Sequence, residues 1–360
     1  MPATGKTPPR RSRLTPACRL TPSRTEHLIP SSNSGSGAAD GESERSDQEA
    51  AKIIEVAAHI FPRMSLRDVI RLAEGVSTRV YRLRFDTMTL YLRVLPEPDA
   101  TFAPEALVHD LLRRRDIPVP EVIYDEDRNE LLQRSIMVTA EIPGAPLTRS
   151  GPGGFSQSIL QEAGRCLAVI NSIPVDGYGW IRRDLSAAQP AGLEAELPDY
   201  QLFVDREIDD HLDTLGQHLL DQAEIMKLER VAHKYRDGVD PNPAVLAHGD
   251  FDASHIFQDG GHFSGVIDFG EIRGTDPWYD LGHFRLHDGE QLPQGLFPWL
   301  LAGYRLVRPE QSRDEERIIF ASLLIATRSL ARAIARDSTD SAYLRFLLGS
   351  LKRDLQLLDG

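Results

Sequence analysis

The hydrophobic periodicity of this chain changes character once, at "PGAPLTRSGPGGFS" (143–156). Upstream, from about residue 70, apolar residues recur in short alternating runs. "RVYRLRF" and "MTLYLRVL", separated by Asp86-Thr87, predict a β-hairpin, and "IPVPEVIYD" and "ELLQRSIMVTAEI" predict two or three further strands. A helix opened by Pro104 interrupts them, with Leu107, Val108, Leu111 and Leu112 spaced for one buried face. Downstream the period is helical: "SQSILQEAGRCLAVINSI" places Ile159, Ala163, Leu167 and Ile170 on one side. A chain with this pattern folds as a two-lobe α+β protein, a small sheet lobe before a larger, mainly helical one.

The expected boundaries follow. Residues 1–48 form a tail and linker, 49–142 the small lobe and its leading helix, 143–156 a hinge, and 157–360 the helical lobe. Ser312-x-x-Glu315 has the form of a capping box before a helix over 318–335, and a last helix is expected over 340–357. One compact β island interrupts the helical lobe: "AVLA", then "HIFQ" and "FSGVIDF" around Asp259-Gly260-Gly261, a hairpin turn.

Charge and cysteine usage narrow the partners. The net charge of −13 conceals a basic N-terminus: residues 1–24 hold six basic groups and no acidic one, leaving 35 basic against 54 acidic groups in the remainder. A body of that sign repels nucleic acid and attracts cationic small molecules. Cys18 and Cys166 are too few for a disulfide framework or a zinc cluster, which fits a reducing cytoplasm. The apolar run "IIFASLLIA" (318–326) has about half the residues a bilayer span needs, so a buried helix is expected there and no membrane contact.

The chemistry is concentrated in "HGDFDASHIF" (248–257) and "GVIDFGEIRGTDPWYDL" (265–281). Asp250 follows a short apolar strand, so its carboxylate can point into a cleft. Four residues separate it from His255, which begins the next strand, and Asp268 closes the hairpin's second strand. Two carboxylates at adjoining strand ends suit a hard cation. A transition-metal cluster of His248, Asp250, Asp252 and His255 is the rival reading, but it leaves Asp268 and the two-lobe order without a role. The acidic stretch "DREIDDHLD" (205–213) spaces Asp205, Asp209 and Asp213 along one helix face. That is either a solvated surface or a patch for a polycationic molecule.

Taken together, "HGDFDASHIF" and "GVIDFGEIRGTDPWYDLGHF" resemble the aminoglycoside phosphotransferase family of protein-kinase-like small-molecule kinases. Upstream segments resemble it in order: "LAEGVSTRVYRLRF" for the nucleotide loop, "LYLRVLPE" for the phosphate-holding strand and "IMVTAEIPGAPL" for the hinge. The resemblance covers roughly residues 65–310. It implies a protein-kinase-like fold and transfer of the γ-phosphate of ATP, or GTP, to a hydroxyl of a cationic or sugar-like acceptor. Asp250 becomes the base and Asp268 the chief ligand of Mg²⁺ or Mn²⁺, with His255 at a second metal-ligand position. Ser77 covers the phosphates, Glu105 pairs with the cation of the neighbouring strand, and backbone groups near Glu141 and Ile142 hold the adenine. Asp276 and Asp280 brace the loop.

Two positions depart from the family pattern. No Lys occurs between Lys52 and Lys227, so Arg93 stands where the phosphate-holding Lys is expected. His255 replaces an Asn, and imidazole is a softer ligand than an amide oxygen. A catalytically silent nucleotide-binding regulator would account for both substitutions. A metabolic kinase of the choline or homoserine type would differ only in its acceptor.

Overall fold

The computed structural model describes residues 39–72, 78–149, 156–185, 192–237, 243–293, 295–336 and 341–359. These form two compact units: residues up to Phe102 together with Val122–Glu141, and Ala103–Glu121 together with Ile142–Gly360.

The smaller unit is a five-stranded antiparallel sheet backed by one helix. Its strands are β1 (Leu66–Arg71), β2 (Arg79–Phe85), β3 (Thr89–Val94), β4 (Val122–Glu126) and β5 (Ile136–Ala140), in the order β1-β2-β3-β5-β4. The expected hairpin is β2–β3, with Arg82 opposite Tyr91 and Leu83 opposite Leu90. Alternation sends Tyr81, Leu83, Phe85, Leu90, Leu92 and Val94 to one face. There they meet Ile53, Val56 and Ala57 of α1 (Ala39–Ile60), whose spacing supplies the matching stripe, and Phe61 just past its end. The helix begins at Ala39, inside the stretch expected as linker. Glu42, Glu44, Arg45 and Gln48 there are good helix formers, and the Ser-Gly-rich composition before them masked that signal.

The helix α2 (Ala103–Arg113), expected in the small lobe, groups with the larger unit, where Val108 and Leu112 join its core. Among the described residues that unit adds seven short strands. They are β6 (Ala145–Pro146), β7 (Tyr178–Ile181), β8 (Ala195–Leu197), β9 (Val245–Ala247), β10 (Ile256–Asp259), β11 (His262–Val266) and β12 (Arg273–Thr275). Its further helices are α3 (Gln157–Ile170), α4 (Tyr200–His218), α5 (Gln222–Asp237), α6 (Tyr279–His287), α7 (Phe297–Arg305), α8 (Asp314–Ala335) and α9 (Ser341–Asp359).

Two small sheets frame the chemistry-bearing segment. One runs β11-β10-β6 and the other β8-β7-β12-β9. The hinge is therefore more than a tether: Ala145 and Pro146 pair with Gln258 and Phe257, at an edge where proline's missing N–H costs nothing. The expected capping box is not formed. Arg313 is the N-cap residue, without a side-chain cap, and Asp314 instead accepts from Gln311 N at 2.8 Å and Trp278 Nε1 at 2.9 Å. By length and composition α8 could cross a membrane, yet 72% of its apolar window is buried within the fold. It is a core helix here, contributing Ile318, Phe320, Leu323, Leu324 and Leu330.

Candidate active site

A loop leaves β9 and carries His248, Gly249 and Asp250 before β10 begins. Its shape is set from below by Asp280, which is fully buried in the first turn of α6. One oxygen accepts from Gly249 N at 2.9 Å; the other accepts from His248 N and Asn171 Nδ2, both at 2.9 Å. Gly249 adopts φ +88°, and a Cβ there would lie 1.9 Å from the carbonyl oxygen of Glu271, so only glycine fits. Asp276 supports the same region: its carboxylate accepts from Trp278 N at 2.9 Å, and burial pushes its pKa up to about 6. Both aspartates thus sit where a bracing role requires.

His248 is a support and not a ligand. Its Nε2 lies 2.9 Å from the carbonyl oxygen of Ile267, and its Nδ1 accepts from Asp250 N at 3.3 Å. Both ring nitrogens are committed. Burial first, and the neighbouring His255 second, hold it neutral below the usual imidazole range. This weakens the four-residue transition-metal reading, although Asp250, Asp252 and His255 do cluster.

The carboxylate of Asp250 is partly open to solvent and flanked by two imidazoles. His283 Nε2 lies 3.1 Å from Oδ1, and His255 Nδ1 lies 3.9 Å from Oδ2. Burial would raise its pKa, but the hydrogen bond from His283 and the charges of His283 and His255 outweigh this and hold it well below the usual carboxylate range. Asp252 is occupied locally: Ser254 donates to Oδ1 through its N–H at 2.7 Å and its hydroxyl at 2.5 Å. Its other effect is electrostatic, 3.6 Å from His255 Nδ1.

Asp268 lies two residues beyond the end of β11, not on the strand as expected. It adopts the left-handed conformation, φ 63° and ψ 70°, and caps a 3₁₀ turn over Phe269–Glu271 by accepting from Gly270 N at 3.3 Å. The chain must leave the strand to turn its carboxylate toward His255, whose Nε2 lies 3.9 Å from Asp268 Oδ2. His255 Nδ1 donates to the backbone carbonyl of Asp250 at 2.7 Å, which turns Nε2 toward Asp268. Burial would lower the His255 pKa, but Asp252, Asp250 and Asp268 together raise it. Asp268 and the Nε2 of His255, 3.9 Å apart, are the groups that would hold a divalent ion here, the carboxylate as the hard ligand and the imidazole as the softer one. The residues present therefore fit a metal at this position.

The remaining expected residues belong to both units. Glu105, on α2, is fully buried 3.9 Å from both His109 Nε2 and Arg183 Nη2. Arg183 in turn donates to Gly270 O at 2.7 Å, and His109 meets the Phe269 ring edge-on at 5.1 Å. Glu105 thereby supports the turn that carries Asp268. In the smaller unit, Arg93 is buried with its guanidinium 5.3 Å from the Phe102 ring, and Glu141 accepts from the Tyr91 hydroxyl at 3.0 Å. Ile142 packs beside Gly265 of β11. Ser77 lies outside the described residues. Of the acidic trio on α4, Asp205 is tied to Arg236 at 2.7 Å, while Asp209 and Asp213 are exposed.

Sequence reasoning missed His283 and His287. They lie one turn apart on α6, their rings 4.4 Å from centroid to centroid. The only signal was polar residues at i and i+4 within an otherwise buried helix.

A profile of the phosphotransferase enzyme family matches residues 68–319. The chain belongs to that family. A search of curated proteins finds no significant match. Among solved structures, this phosphotransferase is similar in fold to a thermostable mutant of aminoglycoside phosphotransferase APH(4)-Ia. The match has 17% identity and a TM-score of 0.64, covering 86% of this chain and 98% of the other. A putative fructosamine-3-kinase from Thermobifida fusca matches at 18% identity and TM-score 0.57, over 84% and 98% of the two chains. A macrolide 2′-phosphotransferase type I matches at 17% and 0.55, over 85% and 96%. The fold is thus the protein-kinase-like one that the sequence resemblance implied.

Proposed function

We propose that this phosphotransferase moves the γ-phosphate of ATP to a hydroxyl of a small, cationic or sugar-like molecule. The observation that carries this is the convergence of Asp250, His255 and Asp268 on one braced loop and turn. A carboxylate held ionised beside an open face can take the proton of an attacking hydroxyl. Asp268 and His255 would hold Mg²⁺ or Mn²⁺, which supplies charge neutralisation at the β- and γ-phosphates when bound. Arg93 steadies the phosphates, with Ser77, Glu105, Glu141 and Ile142 in the nucleotide roles given above. An intact base and an intact metal ligand favour a working enzyme over a silent regulator.

The acceptor class rests on two supports. A groove beside the loop sets Asp252, His287 and Glu290 among the apolar side chains of Phe284, Leu292 and Leu296, a largely apolar surface that carries acidic groups. The APH(4)-Ia relative has also been seen in a ternary complex with ADP and hygromycin B. The test is ADP release against aminoglycosides, macrolides, fructosamines, choline and amino alcohols, with Mg²⁺ or Mn²⁺. Asp250→Asn should abolish acceptor-stimulated release while MgATP still raises the melting temperature. Turnover retained in that variant would refute the assignment of the base.

A further inference from the structure

We infer that His283 is a positioning residue that locks the Asp250 carboxylate, occupying Oδ1 so that Oδ2 is the face offered to the acceptor hydroxyl. This rests on Asp250 being the base. His283 projects from α6 and is nearly buried, with 5% of its surface exposed. Its two ring nitrogens grip consecutive residues of the loop: Nε2 lies 3.1 Å from Asp250 Oδ1, and Nδ1 lies 3.2 Å from the carbonyl oxygen of Phe251. Both partners are acceptors while Asp250 is ionised, so both nitrogens carry protons. A ring fixed at two points cannot rotate, and the carboxylate bonded to it loses its own torsional freedom.

The placement is systematic. Asp280 lies three residues earlier on the same helix, hence on the same side, and holds the backbone N–H groups of His248 and Gly249. Successive contacts from α6 thus grip residues 248–249 and then 250–251, which makes the helix a template for the catalytic loop. His287, one turn further, backs the imidazole at 4.4 Å, and its Nδ1 lies 3.0 Å from the His283 carbonyl. Burial, which would lower the His283 pKa, is outweighed by the hydrogen bond and charge of Asp250, by Asp252 and by the Phe251 carbonyl. Fixing a base in its reactive orientation lowers the barrier and leaves nucleotide binding alone.

Three substitutions separate this role from simple support. His283→Gln can place an amide N–H where Nε2 lies and so keeps the bond to Asp250. His283→Asn reaches only the Phe251 carbonyl, and His283→Leu reaches neither. ADP release is measured with hygromycin B and with water as acceptor, beside the melting temperature and the KM for MgATP. His283→Gln should stay within about threefold of the parent kcat, while His283→Asn and His283→Leu fall roughly a hundredfold with the KM for MgATP unchanged. Equal kcat for the Gln and Asn variants at matched melting temperature would overturn the inference, because only one keeps the Asp250 bond. The Asp250→Asn variant is run alongside. If it is inactive while all three His283 variants match the parent, only the positioning role falls; if it retains turnover, the base assignment falls with it.

Discussion

The bracing carboxylate of Asp280 gives a prediction whose size follows from its geometry. It accepts three N–H groups at 2.9 Å in a fully buried site, two on one oxygen and one on the other. In Asp280→Asn the single remaining oxygen can keep two donors, and the new NH₂ then faces the N–H of Gly249. One charge-assisted bond, worth roughly 1.5–3 kcal/mol, is replaced by opposed donors, and two others weaken to neutral strength at about 0.5–1.5 kcal/mol each. Relief of the buried charge offsets part of this, leaving a loss of about 3 kcal/mol. For a unit of about 240 residues that corresponds to a fall in melting temperature of roughly 6–12 °C. Calorimetry reads the shift, and amide hydrogen exchange at His248 and Gly249 locates it, since both N–H groups should exchange faster. A melting temperature within about 2 °C of the parent, with unchanged exchange at those two amides, would refute the bracing argument.

Two further outcomes follow from the same region. Gly249→Ala forces a Cβ to within 1.9 Å of the Glu271 carbonyl at a left-handed backbone position, and should cost about 3 kcal/mol or more with loss of ADP release; a variant melting like the parent would contradict the close approach. His287 is pushed down to about 4 by burial first and His283 second, so the unfolded chain takes up its proton near pH 6.5 while the folded chain does not until about pH 4. Stability is therefore unaffected above pH 6.5 and declines by about 3 kcal/mol as pH falls through that window. In His287→Gln the decline should be shallower by that amount in urea melts between pH 7 and pH 4, and an identical acid slope would count against it.

The sequence exposed most of the architecture because hydrophobic spacing is a local property. The β2–β3 hairpin, α2 and the stripe Ile53, Val56, Ala57 and Ile60 each declare themselves within about a dozen residues. What was hidden depends on contacts distant in the chain. The expected capping box fails where the carboxylate of Asp314 turns to Gln311 N and to Trp278, 36 residues away. Pro146 becomes part of a sheet only because β10 passes beside it. Asp250 and Asp268 were legible as a pair because the hairpin between them is short. His283 was not, since it stands 32 positions from Phe251, whose carbonyl it holds, and a histidine inside a buried helix carries no mark of what it faces. Asp268 was placed on a strand because alternation does not reveal where a chain turns left-handed.

That left-handed turn limits how the enzyme can be controlled. Between Asp268 and the first residue of β12 lie only Phe269 through Ile272, three of them in a tight helical turn. A tether this short cannot fold away from Asp268, nor present a long segment for a modifying enzyme to order or disorder.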